Sequence, residues 1–167
     1  MSNDYLNSAK KQFEDYKTLG DKTFAQLTDK EFFWQYNDDS NSIAIIVHHL
    51  WGNMLSRWTD FLTSDGEKEW RNRDSEFENN ISNKAELMSK WNEGWKCLFD
   101  ALNPLTNNDL SKTVSVRNQQ LTVVEAINKQ LTHYAYHIGQ IVFIGKMLVG
   151  KDWKTLSVPK RNSVKQN

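Results

Sequence analysis

Two histidines four residues apart, in the run His133-Tyr134-Ala135-Tyr136-His137-Ile138-Gly139-Gln140, are the side chains of this sequence best placed to do chemistry. They lie in a long segment of apolar periodicity that predicts a helix. Positions i and i+4 of a helix share a face, so both imidazoles can aim at one point. The other two histidines, His48 and His49, are adjacent near the start of a second helical segment. One of that pair, meeting His133 and His137 across a helix bundle, would complete a three-nitrogen metal site. Imidazole is the commonest protein ligand for zinc and also suits nickel and iron. Three protein ligands with one position left open is the arrangement of a catalytic ion rather than a structural one.

The pattern is not the zincin His-Glu-x-x-His, because no Glu follows His133 and Tyr134 cannot replace that general base directly. The plain alternative is a set of ordinary interior or surface histidines. Against it stands their distribution, in two clusters on two helices at inward-facing positions. His48 and His49 cannot both point at one ion, since one helical position turns a side chain by about 100°. His49 falls in line with Ile45, Asn53 and Arg57 at spacing four. That line is polar on a helix that otherwise reads as buried, where polar groups need partners. It favours His49, and leaves His48 as a flanking histidine bonded to a carbonyl or to water.

Around these three, Asn53 lies one turn from His49 and is placed to support a ligand. Gln140, three residues past His137, can orient a ligand or substrate, or simply pack. Arg57 can meet an anionic substrate group; a buried ion pair or a snorkelling side chain is the alternative. Arg71 and Arg73 line a pocket mouth or are solvated. Tyr134 and Tyr136 read as core or interface packing, with acid/base work as the alternative. Cys97, the single cysteine, reads as a small hydrophobe and excludes an internal disulfide. There is no phosphate-binding Gly loop, no Cys-based zinc motif and no Ser/His/Asp arrangement.

Four helices must position these groups. Helix 1 is expected over residues 3–26, with Leu6, Ala9, Phe13, Tyr16 and Leu19 inward and Gly20 bending or thinning it. Residues 28–41 read as a short turn or helical fragment followed by a loop. Helix 2 spans 42–63, capped by Asn41 or Ser42. A long connection holding Trp70-Arg71-Asn72-Arg73-Asp74 leads to helix 3 over 82–102, capped by Ser82 or Asn83 with Glu86 in its first turn. A connection that long can cross a bundle, so helices 2 and 3 need not be neighbours. A second link, 105–121, contains the alternating run Thr113-Val114-Ser115-Val116, compatible with a short hairpin. Thr122-Val123-Val124-Glu125 is a capping box for helix 4, which ends at Val149 before Gly150. Residues 151–167 form a C-terminal tail whose first half, with Trp153, Leu156, Val158 and Pro159, packs on the bundle and whose end is loose.

The 167 residues make one domain, 1–167, with enough chain for a real core. Zero net charge argues against a nucleic-acid partner. The longest apolar run, 141–149, is broken by Gly145 and Lys146 and is too short to span a membrane. No charged-then-apolar leader opens the sequence, so the expected location is cytoplasmic.

The pairing of a histidine and an aliphatic residue on helix 2 (His49-Leu50) with His133-x-x-x-His137-x-Gly139-Gln140 on helix 4 resembles the DinB/YfiT-like superfamily. Residues 42–63, 70–74 and 153–159 look like its domain-of-unknown-function 1572 branch. The resemblance implies an all-α four-helix bundle with long crossover connections, helix 2 beside helix 4, and a homodimer. It implies His49, His133 and His137 as ligands of one divalent ion, zinc or nickel. Tyr136 and Ile138 stand where the superfamily often has a further His and an Arg, so a shared proton-transfer role does not carry over. The implied activity is metal-dependent hydrolysis, or transfer of a low-molecular-weight thiol such as bacillithiol to a small-molecule electrophile. A non-catalytic, stress-related metal-binding protein on the same fold is the second reading.

Overall fold

The computed structural model describes residues 4–158. Four helices carry most of the chain: α1 (Asp4–Phe24), α2 (Ile43–Trp58), α3 (Lys84–Leu102) and α4 (Val123–Val149). A two-stranded antiparallel hairpin, β1 (Thr113–Val116) and β2 (Gln119–Thr122), precedes α4. The protein is an all-α bundle. In it α2 packs chiefly on α3 and α1 on α4, while α2 also meets α4 and α1 meets α3. Consecutive helices α1 and α2, and again α3 and α4, therefore sit on diagonals, joined by the links that cross the bundle. The longest connection instead joins the neighbours α2 and α3 and folds back along α2 through a 3-10 turn at Asp74–Phe77.

The helix ends follow from local chemistry. Ser42 accepts from the Ile45 N–H at 3.1 Å, and Asn83 from the Glu86 N–H at 2.9 Å, each satisfying a donor that the first turn leaves free. The Glu86 carboxylate reaches back to the Ser82 N–H at 2.9 Å. The Thr122–Glu125 capping box is present in both directions. The 28–41 stretch holds a 3-10 turn at Asp29–Phe33.

One sequence expectation needs correction. Helix 2 stops at Trp58, not near residue 63, because Asp60 takes a left-handed conformation (φ 50°) and its carbonyl accepts the Thr63 and Ser64 N–H groups. Phe61 still packs on Trp58, at 4.8 Å between ring centroids, which is why the apolar periodicity ran past the true end. Gly20 lies within the continuous α1; a side chain there would overlap the Trp91 indole, so the glycine is where α3 comes close. The expected hairpin forms at the end of the second link, its second strand running to Thr122, and its turn residues Arg117 and Asn118 have φ of 54° and 60°. Two consecutive left-handed residues suit the twist of a tight hairpin.

The core is aromatic. Trp58, Trp91, Trp95, Tyr134 and Phe13 are completely buried. Phe13 meets Trp58 edge-on at 6.1 Å and Trp95 meets Tyr134 at 5.9 Å, the offset geometries that aromatic quadrupoles favour. Trp153 reaches the bundle beside Gly145, and the Lys154 N–H donates to Gln26 Oε1 at 2.7 Å, so the first part of the tail is tied to the end of α1. Pro159 and the expected loose end lie outside the described residues. Among the described residues no helix is long and apolar enough to cross a membrane.

Candidate metal centre

His49 is delivered by α2 and His133 and His137 by α4, and the three rings converge. His133 Nε2 lies 3.1 Å from His49 Nε2 and 3.0 Å from His137 Nε2. One nitrogen from each ring falls within 4.8 Å of the other two, close enough for a single ion to be shared. Ligands at roughly 2.0–2.1 Å in a tetrahedron are separated by about 3.3 Å, so the His133–His49 and His133–His137 spacings need only a small expansion to accept zinc. Among the described residues no fourth His, Cys, Asp or Glu joins the cluster.

The second nitrogen of two rings is already committed. His49 Nδ1 faces Glu76 Oε2 at 2.9 Å, and His137 Nδ1 faces Gln140 Oε1 at 2.8 Å. Both partners are acceptors, so both Nδ1 atoms carry the proton and both Nε2 atoms present lone pairs. His133 Nε2 can donate to only one of them. A cation at the centre would satisfy all three lone pairs together, and three neutral imidazoles suit zinc or nickel. Burial, reinforced by His137 and His49 and by Arg57 and Arg71, pushes His133 down to about 3. Burial and His49 push His137 down to about 4, against a raising hydrogen bond from Gln140. Both rings are neutral, and so able to bind metal, at physiological pH.

Glu76 is the residue that sequence reasoning missed. It sits in the long α2–α3 connection, in the 3-10 turn that packs on α2. Its side chain is 4% exposed, and Arg71, 2% exposed, clamps it with Nε at 2.7 Å from Oε1 and Nη2 at 2.9 Å from Oε2. Burial alone would raise the Glu76 carboxyl, but the hydrogen bonds from Arg71 and His49 hold it below its ordinary value. A carboxylate behind a ligating imidazole fixes the ring and raises its basicity. The approach is possible because residue 52, three positions after His49, is glycine: a Cβ there would overlap Glu76 and lie 2.7 Å from its Cδ. An unbranched backbone on a helix otherwise full of large side chains was the one available sign that something must come close.

A cavity of about 500 Å³ opens onto the cluster, lined by the three histidines with Asn53, Tyr136 and Gln140 and by a set of arginines. The sequence matches the family described as "Protein of unknown function (DUF1572)" over residues 1–162. The chain belongs to the DUF1572 family. No curated protein matches it.

In this DUF1572 chain the other expected residues divide. Gln140 touches the cluster directly through His137, and its amide nitrogen donates to Tyr136 Oη at 3.3 Å. Asn53 lines the cavity but bonds no histidine; its Oδ1 accepts from Tyr134 Oη at 3.0 Å. Arg57 lines the cavity too, yet it is held by Glu67 Oε2 at 3.0 Å and the Gly66 carbonyl, the ion-pair alternative. Tyr134 lies in the core, where its hydroxyl also accepts from Trp58 Nε1 at 3.0 Å and burial raises its pKa, as fits a packing residue. His48 points away: it stacks on Trp51 at 5.6 Å, and its Nδ1 has no hydrogen-bond partner among the described residues. Cys97 is half-buried, and burial pushes its thiol up, as fits a small packing residue.

Proposed function

We propose that His49, His133 and His137 of this DUF1572 chain hold one divalent ion, zinc or nickel, and that the family is a branch of the DinB/YfiT-like superfamily. The observation that carries this is the convergence of three Nε2 atoms, two of them on rings whose tautomers are fixed from behind by Glu76 and Gln140. Bound there, the ion lowers the pKa of a water or thiol and supplies a nucleophile near neutral pH. Arg71 and Glu76 keep the His49 ring in place; Gln140 does the same for His137. The cavity gives a small molecule access on the side without a protein ligand. The activity is then metal-dependent hydrolysis or thiol transfer, in a cytoplasmic homodimer with a thiol as cosubstrate.

One observation favours the second reading, a non-catalytic metal-binding protein. Among the described residues no carboxylate lines the cavity to act as general base, and Glu76 is fully occupied by Arg71 and His49. A turnover screen with low-molecular-weight thiols plus electrophiles, and with ester and amide substrates, separates the two. Metal-stripped and metal-restored protein are compared. A rate that returns with the metal supports the enzyme; no metal-dependent rate across the panel supports the binding protein.

A further inference from the structure

The cavity wall is chemically one-sided. Among the described residues four arginines line it and no carboxylate does. Arg57 comes from the last turn of α2, Arg71 and Arg73 from the α2–α3 connection, and Arg117 from the hairpin turn. Three separate chain segments thus bring guanidinium groups to the opening over the histidines. Their counter-charges stand behind them. Glu67 Oε2 accepts from Arg57 at 3.0 Å and from Arg117 at 2.9 Å, while its Oε1 is 3.6 Å from Arg71. Glu76 holds Arg71 from the helix side. Asp65, near the hairpin turn, spends its oxygens on the Ser115 hydroxyl and on the N–H groups of Glu67, Arg117 and Asn118.

Three of the guanidiniums therefore share two carboxylates. Arg57 and Arg71 are buried and fixed, whereas Arg73 and Arg117 are exposed. Among the described residues Arg73 has no carboxylate partner; its guanidinium lies 5.2 Å over the Phe77 ring. A concave site with excess positive charge and low-dielectric walls concentrates anions. Planar, always-charged forks suit carboxylate and phosphate oxygens in particular.

We infer that the small molecule admitted to this cavity carries an oxyanion, a carboxylate or a phosphate, that Arg73 and Arg117 bind at the mouth while its other end faces the histidines. The inference rests on the metal reading for what happens at the histidines. The oxyanion contact itself needs no metal.

The test is calorimetric titration of inorganic phosphate, and separately of succinate, into the full-length chelator-stripped protein and into the zinc-loaded protein. Arg73→Gln, Arg117→Gln, the double variant and Lys96→Gln are compared. Lys96 lies on α3 outside this cavity and pairs with Asp100. The expected result is saturable binding of at least one probe to stripped protein, weakened about tenfold or more in the double variant and unchanged in Lys96→Gln. The preferred probe names the oxyanion as phosphate or carboxylate. Absence of binding by both probes to the stripped protein, or equal binding by the double variant, overturns the inference. Oxyanion binding that persists in a protein unable to hold zinc would remove the metal reading alone. Zinc binding without oxyanion binding would remove this inference alone.

Discussion

Glu76 Oε2 and His49 Nδ1 lie 2.9 Å apart although 27 residues separate them in the chain, and both side chains are almost completely buried. That contact ties the long α2–α3 connection to the candidate metal centre. It also explains why the connection is ordered around Arg71. Removing Glu76 takes from the buried Arg71 its principal counter-charge.

Replacing Glu76 by Gln should therefore lower metal affinity by about 10- to 100-fold, the usual effect of losing such a supporting carboxylate. The Ala substitution should in addition cost about 3–5 kcal/mol of stability, because Arg71 loses its principal counter-charge. Competition with a chromogenic chelator reads the first effect and denaturant unfolding the second. Unchanged metal affinity in the Gln variant would show that Glu76 does not act on His49.

Gly52→Ala poses a sharper steric question. In an open helix the change would stabilise by about 1 kcal/mol. Here the added Cβ meets the Glu76 carboxylate, so the connection must shift. The expected outcome is a net loss of about 1–3 kcal/mol with weakened metal binding. A more stable variant with intact metal binding would mean that Glu76 is free to move aside.

Acid should act through His133 and His137. Their folded-state values, about 3 and about 4, lie below the ordinary 6.5. The unfolded chain thus binds more protons, and stability rises with pH between the folded and unfolded values. The metal-free protein should lose stability as pH falls from about 6.5 toward about 3–4, and these two rings should add no pH dependence above about 7. Replacing both by Gln should flatten that acid limb in a melting-temperature series; an unchanged limb would assign it to other groups.

Much of this was legible in the sequence, and the parts that were not share a cause. The i, i+4 histidines, the helix caps and the aromatic stripes are local patterns, and α4 begins and ends where Thr122 and Gly150 place it. His49 could be separated from His48 because a helix fixes the angle between neighbours. Glu76 could not be found, since its role depends on how a connection without periodicity folds back on Gly52. The convergence of Arg73 and Arg117 on one cavity was hidden for the same reason: their segments meet only in three dimensions.

Tyr134→Phe distinguishes packing from chemistry. The hydroxyl links Trp58 Nε1 and Asn53 Oδ1 inside the core. Its removal leaves both without that partner and should cost about 1–3 kcal/mol, while metal content stays the same. Loss of metal in a folded Tyr134→Phe protein would place Tyr134 at the site after all.

Metal content per chain is the most direct measurement. Elemental analysis of purified wild type should find about one zinc or nickel per chain, the stoichiometry of a single three-ligand site. His133→Ala and His137→Ala should lose it while keeping helical circular dichroism, and His48→Ala should keep it. Equal metal content in the wild type and in folded His133→Ala and His137→Ala proteins would contradict the account.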